Sequence, residues 1–112
     1  MQYSITETDE SISDVINLAK YIKYHLENPK AAEDFVDVYD TASRELSIFP
    51  KGYRGIGLEY RNYEIRIKPF GTYNIFFVVD EEQHEIVILR VLKDLQNWNQ
   101  ILRVKNKYHF DM

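Results

Sequence analysis

Residues 63–98 read YEIRIKPFGTYNIFFVVDEEQHEIVILRVLKDLQNW, and their parsing decides the fold. Tyr63, Ile65 and Ile67 alternate with Glu64, Arg66 and Lys68, the period of a strand with one face buried. The stretches 73–79 and 85–92 are more continuously apolar, as central strands are. Pro69-Phe70-Gly71 and the polar run Asp80 to His84 supply the breaks, which makes three consecutive strands joined as hairpins. Arg66, Lys68 and Arg90 lie on the strands themselves, where apolar or neutral side chains are usual. If they emerge together from neighbouring strands, they form one surface for phosphate or for an acidic partner.

Upstream the pattern changes from period two to helical. Residues 2–6 alternate Tyr3 and Ile5 with polar neighbours, a short strand. Thr8 then reads as an N-cap, followed by Asp9 and Glu10 in the first turn, where the helix dipole favours negative charge. Ile12, Val15, Ile16, Ala19, Ile22 and Leu26 follow at helical spacing, which predicts a helix to about Glu27. Asn28-Pro29 caps and opens a second helix running to about Ile48, with Ala32, Phe35, Val36, Tyr39, Ala42 and Leu46 on its apolar face. Glu33, Asp34, Asp37 and Asp40 form its solvated face. The joint is short, so the two helices make an antiparallel hairpin. Residues 55–60, GIGLEY, read as a glycine-weakened strand or a loop. Residues 94–102 carry Leu95, Trp98 and Leu102 and predict a short last helix.

The fold class is therefore α+β: an N-terminal strand, a helical hairpin, then a three- to four-stranded, mostly antiparallel sheet with a short C-terminal helix. Residues 1–102 form one domain. Residues 103–112 read as a polar, cationic tail, with Tyr108 and Phe110 as its apolar members, that takes order from a partner.

Composition narrows the function. The chain has 112 residues, enough for one core, and no cysteine, which excludes disulfides, thiolate metal sites and thiol nucleophiles. His25 and His84 have no companions at metal-ligand spacing. The N-terminus lacks a basic region followed by an apolar run, and no stretch approaches the ~20 apolar residues of a membrane span. A cytoplasmic protein without membrane contact is expected. Net charge is −4, which disfavours indiscriminate binding to polyanions. Residues 1–50 hold four Lys/Arg against ten Asp/Glu, whereas residues 51–112 hold ten against eight, so the strand half is mildly basic.

With the elements in this order, several segments resemble the RelE/ParE superfamily of toxins from bacterial type II toxin–antitoxin modules. They are Tyr3-Ser-Ile-Thr, Tyr21-Ile22, Asn28-Pro-Lys-Ala-Ala32, Leu46 to Pro50, Tyr73 to Asp80, and Ile86 to Leu92. The resemblance covers about residues 1–98. It implies a growth-arresting, plasmid-stabilizing type of toxin, neutralised by a cognate antitoxin and needing no cofactor or metal. Two activities occur in the superfamily. RelE-like members cut mRNA on the ribosome; ParE-like members are not nucleases and poison DNA gyrase.

Metal-free RNA cleavage needs a base, cations for the developing phosphate charge, and an acid for the leaving oxygen. Arg66 and Lys68 can stand for the cationic strand of a RelE-like toxin, with Arg90 as a third candidate catalytic cation. Beyond the last strand, however, the chain reads Lys93-Asp94-Leu95-Gln96-Asn97-Trp98. Aspartate lies near where a nuclease needs positive charge, and no tyrosine or histidine follows before Tyr108-His109. The segment Arg90-Val91-Leu92-Lys93 instead resembles a ParE-like Arg-Val-Leu-His, with Lys93 in place of the histidine. The ParE-like reading is preferred. The mRNA endonuclease and an inactive member of the superfamily are the alternatives.

Six residues are candidates for contact with target or antitoxin: Arg66, Lys68, Arg90, Lys93, Trp98 and Tyr73. Each has a structural counterpart role. Arg66 and Lys68 could pair with neighbouring glutamates, Arg90 could hold a buried carboxylate, and Tyr73 and Trp98 could pack the core. As functional cations, Arg66 and Arg90 should be removable together with little change in melting temperature.

Overall fold

The computed structural model describes residues 2–104 and 107–110. Strand β1 (Ser4–Glu7) leads into helix α1 (Asp9–Lys20), which continues as a π-helical turn over Tyr21–His25. Helix α2 (Pro29–Glu45) returns antiparallel, and a 3₁₀ turn at Pro50–Gly52 leads to β2 (Gly55–Tyr60). Then come β3 (Tyr63–Phe70), β4 (Tyr73–Asp80), β5 (Glu85–Lys93) and helix α3 (Trp98–Val104). The fold is α+β, as the sequence indicates. The GIGLEY segment is a true strand, and α3 starts four residues later than the apolar spacing suggests.

Local chemistry sets the boundaries. Thr8 Oγ1 accepts the Ser11 amide at 3.0 Å, and Asn28 Oδ1 accepts the Ala31 amide at 3.1 Å with Pro29 in the first turn. The β2–β3 hairpin closes between Tyr60 and Tyr63 through Arg61 and Asn62, both at positive φ, the two-residue turn whose twist matches the strands. At the β3–β4 hairpin Gly71 supplies the positive φ, +56°.

The five strands form one sheet in the order β1-β5-β4-β3-β2. Neighbours are antiparallel except β1, which lies parallel to β5 with Ser4 opposite Glu85 and Glu7 opposite Ile88. The helical hairpin and the strands β2 to β4 after it make up the long connection that this parallel pair requires. β1 ends at Glu7, and α1 takes over the edge of β5 beyond it. The Thr8 amide donates to the Ile88 carbonyl, Thr8 Oγ1 to the Leu89 carbonyl, and the Val91 amide to Asp14 Oδ2. Thr8, which caps the first helix, and the Asp14 side chain within it thus satisfy a sheet edge that would otherwise be bare.

Two apolar layers result. Phe35 and Tyr39 of α2, Leu46 just past its end, and Ile22 pack on Phe70, Ile75, Phe77 and Ile88. The opposite face carries Ile65, Ile67, Phe76, Val78, Val87 and Leu89, covered by Leu102 and Trp98 of α3 and by Tyr108 and Phe110. Residues 107–110 therefore lie on their own sheet and not on a partner, because Tyr108 brings an aromatic side chain to an apolar face that α3 covers only in part. Lys105, Asn106, Asp111 and Met112, the rest of the expected tail beyond Val104, fall outside the described residues.

The register of β5 breaks once. Phe77 faces Ile88 but Phe76 faces Arg90, so Leu89 is the extra residue of a β-bulge. That shift moves Arg90 out of the alternation the sequence suggests.

Candidate functional site

The expectation of one cationic face is corrected by the register. Arg66 and Lys68 pair across the ladder with Phe77 and Ile75, both in the layer under the hairpin. Arg90 pairs with Phe76, which belongs to the opposite layer. Directly opposed residues of a ladder share a side, so the arginine on β5 is turned away from the two cations on β3.

Each of the three also has an internal partner. Arg66 Nη1 donates to the Tyr53 carbonyl at 2.7 Å and the Lys51 carbonyl at 3.3 Å, with Glu64 4.0 Å away. These carbonyls lie in the irregular α2–β2 connection, where no ladder serves them. Lys68 Nζ donates to the Ala42 carbonyl and to Glu45 Oε1, both at 2.8 Å, and stands 5.4 Å from the Tyr53 ring centroid. An ammonium at the last turn of α2 meets the unpaired carbonyls and the negative end of the helix dipole. Its side chain is only 9% exposed.

Arg90 is held most firmly. Nε donates to Asp14 Oδ2 at 2.7 Å and Nη2 to Asp14 Oδ1 at 2.9 Å, a two-pronged pair with both side chains largely buried. Hydrogen bonding to Asp14 raises the guanidinium pKa further. Asp14 is the residue the sequence did not single out. It lies one turn into α1 amid other acidic residues and 76 positions from its partner.

The other candidates sit at the far end of the sheet. Tyr73 and Lys93 are cross-strand partners. The Tyr73 ring packs 4.7 Å from Phe35 and 5.7 Å from Phe70, while Lys93 is exposed and forms no ion pair among the described residues. Trp98 is half-buried against Phe76, at 5.5 Å, on the opposite face. Tyr108 and His109, the only acid–base pair available late in the chain, are both committed elsewhere. Burial pushes the Tyr108 phenol up to about 12, and the His109 ring lies 2.7 Å from Glu10. Among the described residues no three His, Asp or Glu side chains gather to hold a metal, and no helix is long and apolar enough to cross a membrane.

The hairpin displays what the three cations do not. Of the apolar residues expected to face the core, Val15, Ala19 and Ile22 do, but Ile12, Ile16, Leu26 and Val36 are 41–54% exposed. The helices carry more apolar residues than one sheet can cover, and the surplus faces solvent. Tyr24, 67% exposed, extends this surface to the π-helical turn. Between the helices runs a groove of ≈ 680 Å³ floored by Val15, Ala19 and Ala32. Lys20 and Lys23 line it from α1 and the π-helical turn, and Glu33 and Asp37 line it from α2.

A sequence model of the ParE toxin of type II toxin–antitoxin systems, parDE, matches residues 6–98. No curated protein matches the chain in sequence. Among solved structures, a chain of the chromosomal ParDE toxin–antitoxin system from P. aeruginosa aligns with TM-score 0.65 at 18% identity, over 83% of this chain and 97% of that one. A chain of the toxin–antitoxin complex RelBE2 from Mycobacterium tuberculosis aligns with TM-score 0.57 at 24% identity, over 83% of this chain and 99% of that one. At these identities the structural likenesses speak to the fold.

Proposed function

Because the chain belongs to the ParE toxin family of type II toxin–antitoxin systems, we propose that it is a non-nucleolytic toxin acting on DNA gyrase and silenced by a cognate antitoxin. The observation that carries this reading is the engagement of Arg66, Lys68 and Arg90 with internal partners on two sides of the sheet. A metal-free ribonuclease needs convergent cations around one phosphate and a nearby proton donor. Here the cations cap carbonyls and hold Asp14, and the late tyrosine is buried. Lys93, exposed beside Tyr73, and Trp98 near the same end are the residues assigned to target contact.

Antitoxin is assigned to the hairpin groove. Its apolar floor and its basic and acidic margins suit an amphipathic segment whose charges run in the opposite order. Being exposed, Ile16 and Val36 offer apolar area to a partner at little cost to the fold.

Expression of the chain alone in bacteria tests the reading. Growth arrest with intact mRNA and induced DNA damage is the expected result, relieved by co-expressed antitoxin. Cleavage mapped to codons in translating ribosomes would establish the endonuclease instead, and normal growth at confirmed soluble expression would leave an inactive member of the family.

A further inference from the structure

The family match stops at Trp98, and the aligned chains are covered almost to their full length while this chain has residues to spare. Part of the surplus lies across the sheet face opposite the hairpin. Residues 107–110 follow without regular secondary structure, with Tyr108 buried, Phe110 partly buried and His109 between them exposed. That alternation is how a strand-like peptide presents side chains to one surface. The Tyr108 ring meets Tyr60 edge-on at 5.1 Å, and Phe110 lies 5.3 Å from the Arg61 guanidinium. The segment is pinned at one place. The Asp9 amide donates to the His109 carbonyl at 2.6 Å, the His109 amide to Glu10 Oε1 at 2.9 Å, and the His109 ring lies 2.7 Å from Glu10 Oε2.

The fit is incomplete in two respects. Tyr108 Oη is buried and bonds to nothing among the described residues, so the docked state carries a desolvation cost. Beside Phe110 a cavity of ≈ 290 Å³ is left, walled by Tyr60, Val78 and Val87. Arg61, Asp80 and Glu85 also line it; Asp80 accepts from the Tyr63 hydroxyl at 3.0 Å and Glu85 from the Thr6 hydroxyl at 2.7 Å, so its polar margin is already served.

We infer that residues 107–110 are a releasable strap over a peptide-binding face, and that this face accepts an extended partner segment with aromatic side chains two positions apart. The strap is the built-in example of that pattern. The unfilled cavity beside Phe110 leaves room there for a larger side chain than the strap supplies. The face lies on the other side of the sheet from the hairpin groove, so it constitutes an additional interaction surface.

A synthetic peptide of residues 103–112 supplied in trans tests this. The variant Tyr108→Ala/Phe110→Ala, full length, should stay folded and bind the peptide at Val78 and Val87, read from methyl shifts by NMR. The parent protein should bind it at least tenfold more weakly, because its own strap competes at an effective concentration on the order of mM. Equal binding by both proteins, or none by the folded variant, would overturn the inference, as would global unfolding of the variant. His109→Ala loosens the strap without touching its apolar anchors. Exchange of the residue 109 amide should then quicken roughly ten- to hundredfold, the scale of a lost charge-assisted hydrogen bond, while β4 amides keep their protection. Unchanged exchange at that amide, or equal acceleration in β4, would count against a separate strap. Both readouts use purified protein and are independent of toxicity.

Discussion

Replacing Arg90 by alanine removes one half of an ion pair and strands the other. Asp14 is 13% exposed in its side chain, and Arg90 supplies two of the three hydrogen bonds its carboxylate accepts from other residues. Breaking a fully buried pair costs ~3–5 kcal/mol, mostly because a charge is left without compensation. With Arg90 one-fifth exposed, water relieves part of that, and the expected loss is about 2–3 kcal/mol. For a domain of this size each kcal/mol lowers the melting temperature by ~4 °C, so Arg90→Ala should melt roughly 8–12 °C below the parent. Asp14→Asn/Arg90→Ala should recover part of the loss, since it leaves no orphaned charge, and the cycle should show coupling above about 1 kcal/mol. Thermal and urea unfolding followed by circular dichroism measure both. A reading of Arg90 as a surface cation for target phosphate leads to the opposite expectation, loss of growth inhibition at an unchanged melting temperature. If Arg90→Ala melts within about 1 °C of the parent and is no longer toxic, the structural argument for this arginine is wrong.

Lys68→Met keeps the aliphatic packing but leaves the Ala42 carbonyl at the end of α2 without its donor; a loss of about 2 kcal/mol in urea unfolding is expected. The Glu10 carboxyl responds to acid. Burial alone would raise its pKa, but hydrogen bonds from the His109 backbone and ring and from its own amide outweigh this and lower it from 4.5 to about 2. Its stabilising contribution is therefore complete above the unfolded value and disappears as pH falls from about 4.5 to about 2. Unfolding measured across that window should flatten in Glu10→Gln, and an identical pH slope in both proteins would refute the assignment. On the hairpin, Ile16→Asp places a charge where the residue is 47% exposed. Antitoxin affinity by calorimetry should drop at least tenfold while melting shifts by less than ~2 °C, as surface substitutions do.

Local chemistry was readable from the chain, and distant pairing was not. The Thr8 and Asn28 caps, Pro29 at a helix start and the Gly71 turn each depend on a few adjacent residues, and the structure places them as the sequence suggests. The sheet followed from period-two runs. Which cations are free depends on partners 13 to 76 positions away, and no spacing rule links Arg66 to the Tyr53 carbonyl, Lys68 to Glu45 or Arg90 to Asp14. The bulge at Leu89 adds a single residue and reverses the side on which Arg90 lies, a change invisible to hydrophobic alternation. The helix faces were recognisable as apolar, but how much of each face the sheet covers is a matter of area. Ile12, Ile16 and Val36 were assigned inward for that reason.

The parallel partnership of the first and last strands bears on how the protein is made. Thr8 and Leu89, bonded to each other, are 81 positions apart. A ribosome releasing this chain therefore sets free the hairpin and three of the strands before β1 has anything to lie beside. Contacts so far apart form slowly, and no incomplete polypeptide can seat that edge. The finished edge comes into being only once β5 has been made, later than the hairpin and the other three strands.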